Sequence, residues 1–237
     1  MESTDRQPAT TADFDVWKDT YRDEVQKVVA FSGQDADYFA ALKARALVDL
    51  ARRRIGDPAT LTTVDVGCGI GATDRHLVGH FGQVIGVDIV EGVLERAEVE
   101  VPQAEFRHYD GDVLPVADAS VDVVFAICVV HHVPPPRWGD FAAEMARVLR
   151  PGGVAAIFEH NPLNPITRRV VANCVFDEDA TLLRRHTAAA LLRDAGLRAP
   201  EHRYIAFLPF GGTKVAPLES ALRRLPLGAQ YFVAAAR

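Results

Sequence analysis

Short β-branched runs alternate along this chain with stretches whose apolar residues recur at helical spacing. The runs predict strands near 62–66, 84–88, 104–108, 121–127, 154–159, 203–208 and 229–235. Between and before them the period changes. Asp35 to Arg54 reads as an amphipathic helix, and Phe14 to Phe31 carries Phe14, Trp17, Tyr21, Val25 and Val28 on one helical face. His186 to Leu197 predicts a helix that stops at Gly196, as a C-cap glycine would stop it, and Lys214 to Leu225 predicts part of another. Strands alternating with helices predict an α/β fold, a doubly wound sheet with helices on both faces. Residues 1–12 are polar and predict a flexible tail; 13–237 predict one domain, with 13–56 as an N-terminal helical cap.

The turn after the first strand carries the chemistry. Thr63 to Leu77 reads TVDVGCGIGATDRHL, with Gly67, Gly69 and Gly71 between a strand and residues from Ala72 onward that suit a helix. Glycines there let the backbone bend with positive φ and let a bulky ligand approach, and a following helix would aim free N–H groups at it. Asp88 ends the second strand, where a carboxylate can accept hydrogen bonds from both hydroxyls of a ribose. Asp112 follows the third strand and is suited to an exocyclic adenine amine. Asp65, inside the first strand, suits a charged amino group or the N–H donors of the loop, and would repel a pyrophosphate.

These features, with GDVLPVADASVDVV at 111–124 and LRPGG at 149–153, stand in the order and spacing of a known family. From Thr62 to His160 the chain resembles the class I S-adenosylmethionine-dependent methyltransferases. The resemblance implies a seven-stranded Rossmann-like sheet, mostly parallel with an antiparallel last strand, and S-adenosyl-L-methionine as cofactor. It also implies cofactor contacts from Tyr21, Asp65, Gly67, Gly69, Asp88, Ile89, Asp112, Val113 and Cys128. The acceptor is expected to be a small molecule methylated on O, N or C. Two other readings stay open: an NAD-dependent oxidoreductase, since Gly67, Gly69 and Ala72 also satisfy a looser dinucleotide pattern, and a non-catalytic S-adenosylmethionine-binding module.

Methyl transfer from a sulfonium needs alignment, exclusion of water and, for a protonated nucleophile, a proton acceptor. His131 and His132 follow the fourth strand and are candidate bases, or else hold a loop. Glu159 and His160 end the fifth strand and are a candidate acid/base pair. Asn161, Asn164 and Phe176 lie in the segment 161–185, expected to wall the acceptor pocket, with turn chemistry as the other reading for both asparagines. Lys43 reads either as a solvated helix residue or as a contact to the ligand's carboxylate. Asp177, Glu178 and Asp179 are consecutive, read as helix N-terminal charge placement, and no metal site is expected from the Cys and His spacing.

Composition narrows the partners. At 49% hydrophobic and net charge −6 the chain is globular and has no cationic excess to hold nucleic acid. Three scattered cysteines, an acidic first dozen residues and the lack of any ~20-residue apolar run predict a soluble cytoplasmic protein without disulfides. The oligomeric state is not legible.

Overall fold

The computed structural model describes residues 26, 35–174, 177, 180–207, 222 and 224–237. Helix α1 spans Ala36–Arg54 and starts where the sequence predicts, because the Asp35 carboxylate accepts the Tyr38 N–H at 2.8 Å as an N-cap. The strands are β1 (Thr62–Val66), β2 (Gln83–Asp88), β3 (Glu105–His108), β4 (Val121–Ile127), β5 (Leu149–His160), β6 (Arg198–Ile205) and β7 (Gln230–Ala236). Between them lie α2 (Glu91–Glu100), α3 (Trp138–Val148), α4 (Pro165–Val171) and α5 (Arg185–Asp194). They form one sheet in the order β3-β2-β1-β4-β5-β7-β6, with β7 antiparallel to both its neighbours and the other pairs parallel.

The central strands are apolar on both sides because both sides are covered. Val123, Phe125, Ala156, Phe158 and Phe232 face Ala44, Leu47, Val48 and Ala51 of α1. Their strand neighbours Val124, Ala126, Ala155, Ile157 and Val233 face Met145 and Val148 of α3 and Ala188 and Leu192 of α5. Helix α5 ends as expected at Gly196. That residue has φ +87°, its N–H reaches Arg193 O at 2.9 Å, and the Leu197 N–H reaches Leu192 O at 3.0 Å, which is a Schellman cap.

Three expectations change. No regular helix follows the glycine loop: the chain forms a 3-10 turn at Asp74–His76 and further turns, with i→i+3 and i→i+4 bonds mixed. Gly79 and Gly82 weaken helix propensity there, and the Gly82 N–H is drawn to Pro58 O at 3.1 Å. Strand β6 begins about five residues earlier than predicted, and β5 begins at Leu149 instead of 154, with a register shift across Arg150–Gly153. The tail, the segment 14–31 apart from Gln26 and with Tyr21, most of 214–225, and Phe176 lie outside the described residues. Among the described residues no helix is long and apolar enough to cross a membrane.

Candidate functional site

A cavity of about 600 Å³ opens at the carboxyl ends of β1, β2, β4 and β5, under the first turns of α1. One end is built by the glycine loop. Gly67 and Gly69 have φ +78° and +53°, and a Cβ on Gly67 would come within 2.5 Å of Val129 Cγ2, so this close approach of β1 to β4 requires glycine. The Gly69 N–H does not point free into the cavity as expected. It donates to Asp88 Oδ2 at 2.8 Å, while Asp88 Oδ1 accepts the Val90 N–H at 3.0 Å. Two backbone bonds fix the carboxylate at the cavity wall, and each oxygen keeps a second lone pair for a ligand. Burial raises the Asp88 pKa, with the backbone donors opposing it.

Behind the loop lies an anionic corner that the sequence half revealed. Asp65 lines the cavity at 3% exposure, and Asp74, which the sequence did not single out, is fully buried against it. Asp65 Oδ1 and both Asp74 oxygens have no hydrogen-bond partner, and burial favours the protonated form of both carboxyls. Burial drives the Asp74 pKa up to about 7. Burial, then Asp74 and Asp88, raise Asp65 well above the carboxylate range, with Lys43 opposing them. An orphaned buried oxygen beside two further carboxyls suits an ammonium group, and Asp88 suits vicinal hydroxyls; the pyrophosphate of a dinucleotide would meet the same negative charge.

At the rim the loop 109–113 departs from expectation. Asp112 lines the cavity but is largely exposed and pairs with Arg137 Nη2 at 2.5 Å, a partner the sequence gave no sign of. Val113 is 62% exposed and lies off the cavity wall. Ile89 and Cys128 both line it. Cys128 has φ +57°, a conformation L-residues rarely adopt, and its Sγ accepts the Gln230 side-chain N–H at 3.4 Å. Burial pushes the Cys128 thiol up to about 11, so it is not a thiolate nucleophile near neutrality.

The other end of the cavity is a histidine cluster. His131 is 1% exposed, with Nδ1 2.6 Å from Glu159 Oε2 and Nε2 3.2 Å from Asp177 Oδ1. The His131 N–H also reaches Glu159 Oε1 at 3.2 Å. Glu159 therefore pairs with His131 and not with its neighbour His160, because alternation along β5 sends adjacent side chains to opposite faces. It is fully buried behind the histidine, off the cavity wall, and orients His131 instead of touching a ligand. Burial disfavours charge on His131, but Glu159 and Asp177 outweigh it and hold its pKa well above the usual value. As an imidazolium it donates from both nitrogens and has no lone pair to accept a proton. His132 and His160 also line the cavity, and burial followed by the His131 charge pushes both down to about 4. They are neutral at pH 7.

The segment 161–185 is divided. Ile166, Thr167, Val170, Cys174 and Asp177 line the cavity. Asn161 and Asn164 do not: the turn reading holds for both. Asn161 is 1% exposed, donates to Pro226 O and Gly228 O at 3.1 and 2.8 Å, and accepts the Leu163 N–H. Asn164 caps α4 by accepting the Ile166 and Thr167 N–H groups and donates to Leu227 O. Asn161→Ala is expected to lower stability by about 1–3 kcal/mol through the orphaned carbonyls while leaving cofactor affinity unchanged. Urea denaturation and calorimetry check this; loss of cofactor affinity in a stable variant would place Asn161 at the ligand.

Residues 64–157 match the family model of the methyltransferase domain. Those residues read as a class I S-adenosylmethionine-dependent methyltransferase domain. A probable S-adenosylmethionine-dependent methyltransferase of Mycolicibacterium smegmatis is 34% identical over 118 residues, 45% of this chain and 44% of that protein. Trans-aconitate 2-methyltransferase of Azoarcus is 39% identical over 122 residues, 50% of this chain and 46% of the relative. The matched segments thus span less than half of these relatives' length. In fold, the chain is similar to an S-adenosylmethionine-dependent methyltransferase of Thermotoga maritima described as a possible histamine N-methyltransferase. The TM-score is 0.72 at 19% identity, covering 94% of this chain and 97% of that one. The chain beyond residue 157, outside the family match, contributes His160, Asp177 and Gln230 to the cavity.

Proposed function

We propose that the protein transfers a methyl group from S-adenosylmethionine to a small-molecule acceptor. The observation that carries this reading is the anionic end of the cavity, where a fixed carboxylate and a buried carboxyl with an orphaned oxygen match the ribose hydroxyls and the ammonium of that cofactor. When bound, the cofactor supplies an electrophilic methyl group. Asp88 holds the ribose, Asp65 holds the ammonium, and the apolar wall of Ile89, Val90 and Val93 excludes water. The acceptor occupies the histidine end, where neutral His132 or His160 takes a proton if the nucleophile carries one. A buried cavity with an acidic chain around it favours a small acceptor over nucleic acid. Calorimetry with S-adenosylmethionine, S-adenosylhomocysteine and NAD tests the cofactor; tighter NAD binding would overturn the reading. Turnover with a panel of acceptors then separates an enzyme from a binding module.

The raised pKa of this corner gives a further expectation. The carboxyl of Asp74 sits above its ordinary pKa of 3.8, so between about pH 4 and 7 the folded protein holds a proton that the unfolded chain releases. Stability contributed by the pair is present at low pH and lost as pH rises through 7. Lys43 from α1, Asp88 from β2 and Cys68 of the loop face the same corner. The stability difference between the parent and Asp74→Asn is therefore expected to shift against the parent as pH rises from 5 to 8. Binding of S-adenosylmethionine near pH 6 is expected to release protons, read as an apparent enthalpy that varies with buffer. A buffer-independent enthalpy would mean that the ammonium does not meet this pair.

A further inference from the structure

The histidine end of the cavity has more order than proton transfer requires. His131 comes from the 3-10 turn after β4, His160 from the end of β5 and Asp177 from the segment after α4, and one ligand atom of each lies within 4.8 Å of the others. Spacing along the chain gave no hint of this because the three belong to separate segments. We propose that His131, His160 and Asp177 form a binding site for one divalent cation of the zinc class, with a remaining position open to the cavity.

Four features support it. First, in a tetrahedral site with ligands about 2.0–2.2 Å from zinc, ligand atoms stand about 3.4 Å apart. His131 Nε2 is 3.2 Å from Asp177 Oδ1, so a modest widening accommodates a cation between them. Second, a metal-binding histidine commonly donates its other N–H to a carboxylate that fixes ring and tautomer. Glu159 does this to His131 Nδ1 at 2.6 Å, and it is fully buried, so its orienting role is built into the sheet. Third, two imidazoles and one carboxylate are a donor set for zinc, iron, cobalt or nickel; magnesium and calcium prefer oxygen. Fourth, the charges balance. Glu159 and Asp177 bring two carboxyl groups to this end of the cavity, the charge that one divalent cation balances.

All three ligands line the cavity, and His132 stands beside them, its Nε2 3.5 Å from Asp177 Oδ1. The fourth ligand of the cation is then water or the acceptor itself, and with His160 on the metal it is His132 that takes the proton of a protonated nucleophile. The part assigned to the acceptor rests on the methyltransferase reading; the metal site does not.

The competing arrangement is a proton, with His131 as an imidazolium between two carboxylates. Titrating chelator-treated full-length protein with Zn2+ by calorimetry, and with Co2+ by visible absorption, distinguishes the two. The site predicts saturable binding of one ion per chain, with an intense tetrahedral Co2+ spectrum and no competition from Mg2+. Glu159→Gln is expected to weaken Zn2+ about 10–100-fold by loosening His131. His160→Ala and Asp177→Asn are expected to weaken it by more, with S-adenosylhomocysteine affinity preserved as the sign of an intact fold. Absence of saturable Zn2+ and Co2+ binding by the parent protein overturns the proposal, as does binding unaffected by the two ligand substitutions. If the variants do not fold, the parent's Co2+ spectrum decides: tetrahedral bands with histidine ligation support the site, and an octahedral aquo-type spectrum overturns it. Failure of S-adenosylmethionine binding with Zn2+ binding retained would count against the methyltransferase reading alone.

Discussion

Asp88→Ala is expected to weaken S-adenosylmethionine binding by at least tenfold. Charge-assisted hydrogen bonds contribute roughly 1.5–3 kcal/mol each, and the Asp88 carboxylate is held at the cavity wall by the Gly69 and Val90 N–H groups. Its two backbone bonds give the substitution a second effect, since the Gly69 and Val90 N–H groups lose their acceptors and the glycine loop loses its tie to β2. Asp88→Asn separates the two. It keeps one carbonyl acceptor but cannot accept from both N–H groups with the same strength, so it should fall between the parent and the alanine variant. Calorimetry with S-adenosylhomocysteine, on variants shown to be folded by circular dichroism, makes the comparison. An alanine variant that binds like the parent would remove Asp88 from the ribose site.

Glu159→Ala is expected to cost about 3–5 kcal/mol of stability, the range for breaking a buried ion pair by removing one partner. The His131 ring would keep only Asp177, and the His131 N–H would lose its acceptor in a fully buried place. Replacing both members, Glu159→Leu with His131→Leu, should recover part of the loss, because no unpaired buried charge remains. Urea denaturation of the single and double variants measures it. A single-variant loss below about 1 kcal/mol would mean that the pair is not charged in the folded protein.

The fold was legible because its strongest signals are local. The Asp35 cap, the Gly196 stop and the apolar runs of the central strands each depend on neighbours a few residues away. The glycine loop and Asp88 were also legible, as a turn and a strand tip. What escaped depends on contacts between distant segments. Nothing near Glu159 in the sequence says that its partner is His131 and not His160; the pairing follows from the parallel register of β4 and β5, which sets Ile127 beside Phe158. Asp74 was passed over because its importance comes from facing Asp65 across the loop. Asp177 read as one of three adjacent acids, and only the packing of 161–185 against the cavity draws it to the histidines. The turn after the glycine loop differs for another reason: its first residues carry a helical pattern, and Gly79 and Gly82 near its end outweigh it.

The place of β7 in the sheet has a consequence for biogenesis. It lies between β5 and β6, with Val154 beside Ala236 on one side and Tyr204 beside Tyr231 on the other. As the chain leaves the ribosome, β5 and β6 are therefore both made before the strand that joins them. Until β7 arrives, each presents an unpaired backbone edge, and Tyr231, Phe232 and Val233, all fully buried in the finished sheet, have not yet closed either core. The acceptor end of the cavity waits on the same event, since Gln230 enters with β7. The nascent chain is thus most exposed to edge-to-edge association just before it becomes able to bind, and that interval is when a chaperone would have the most to protect.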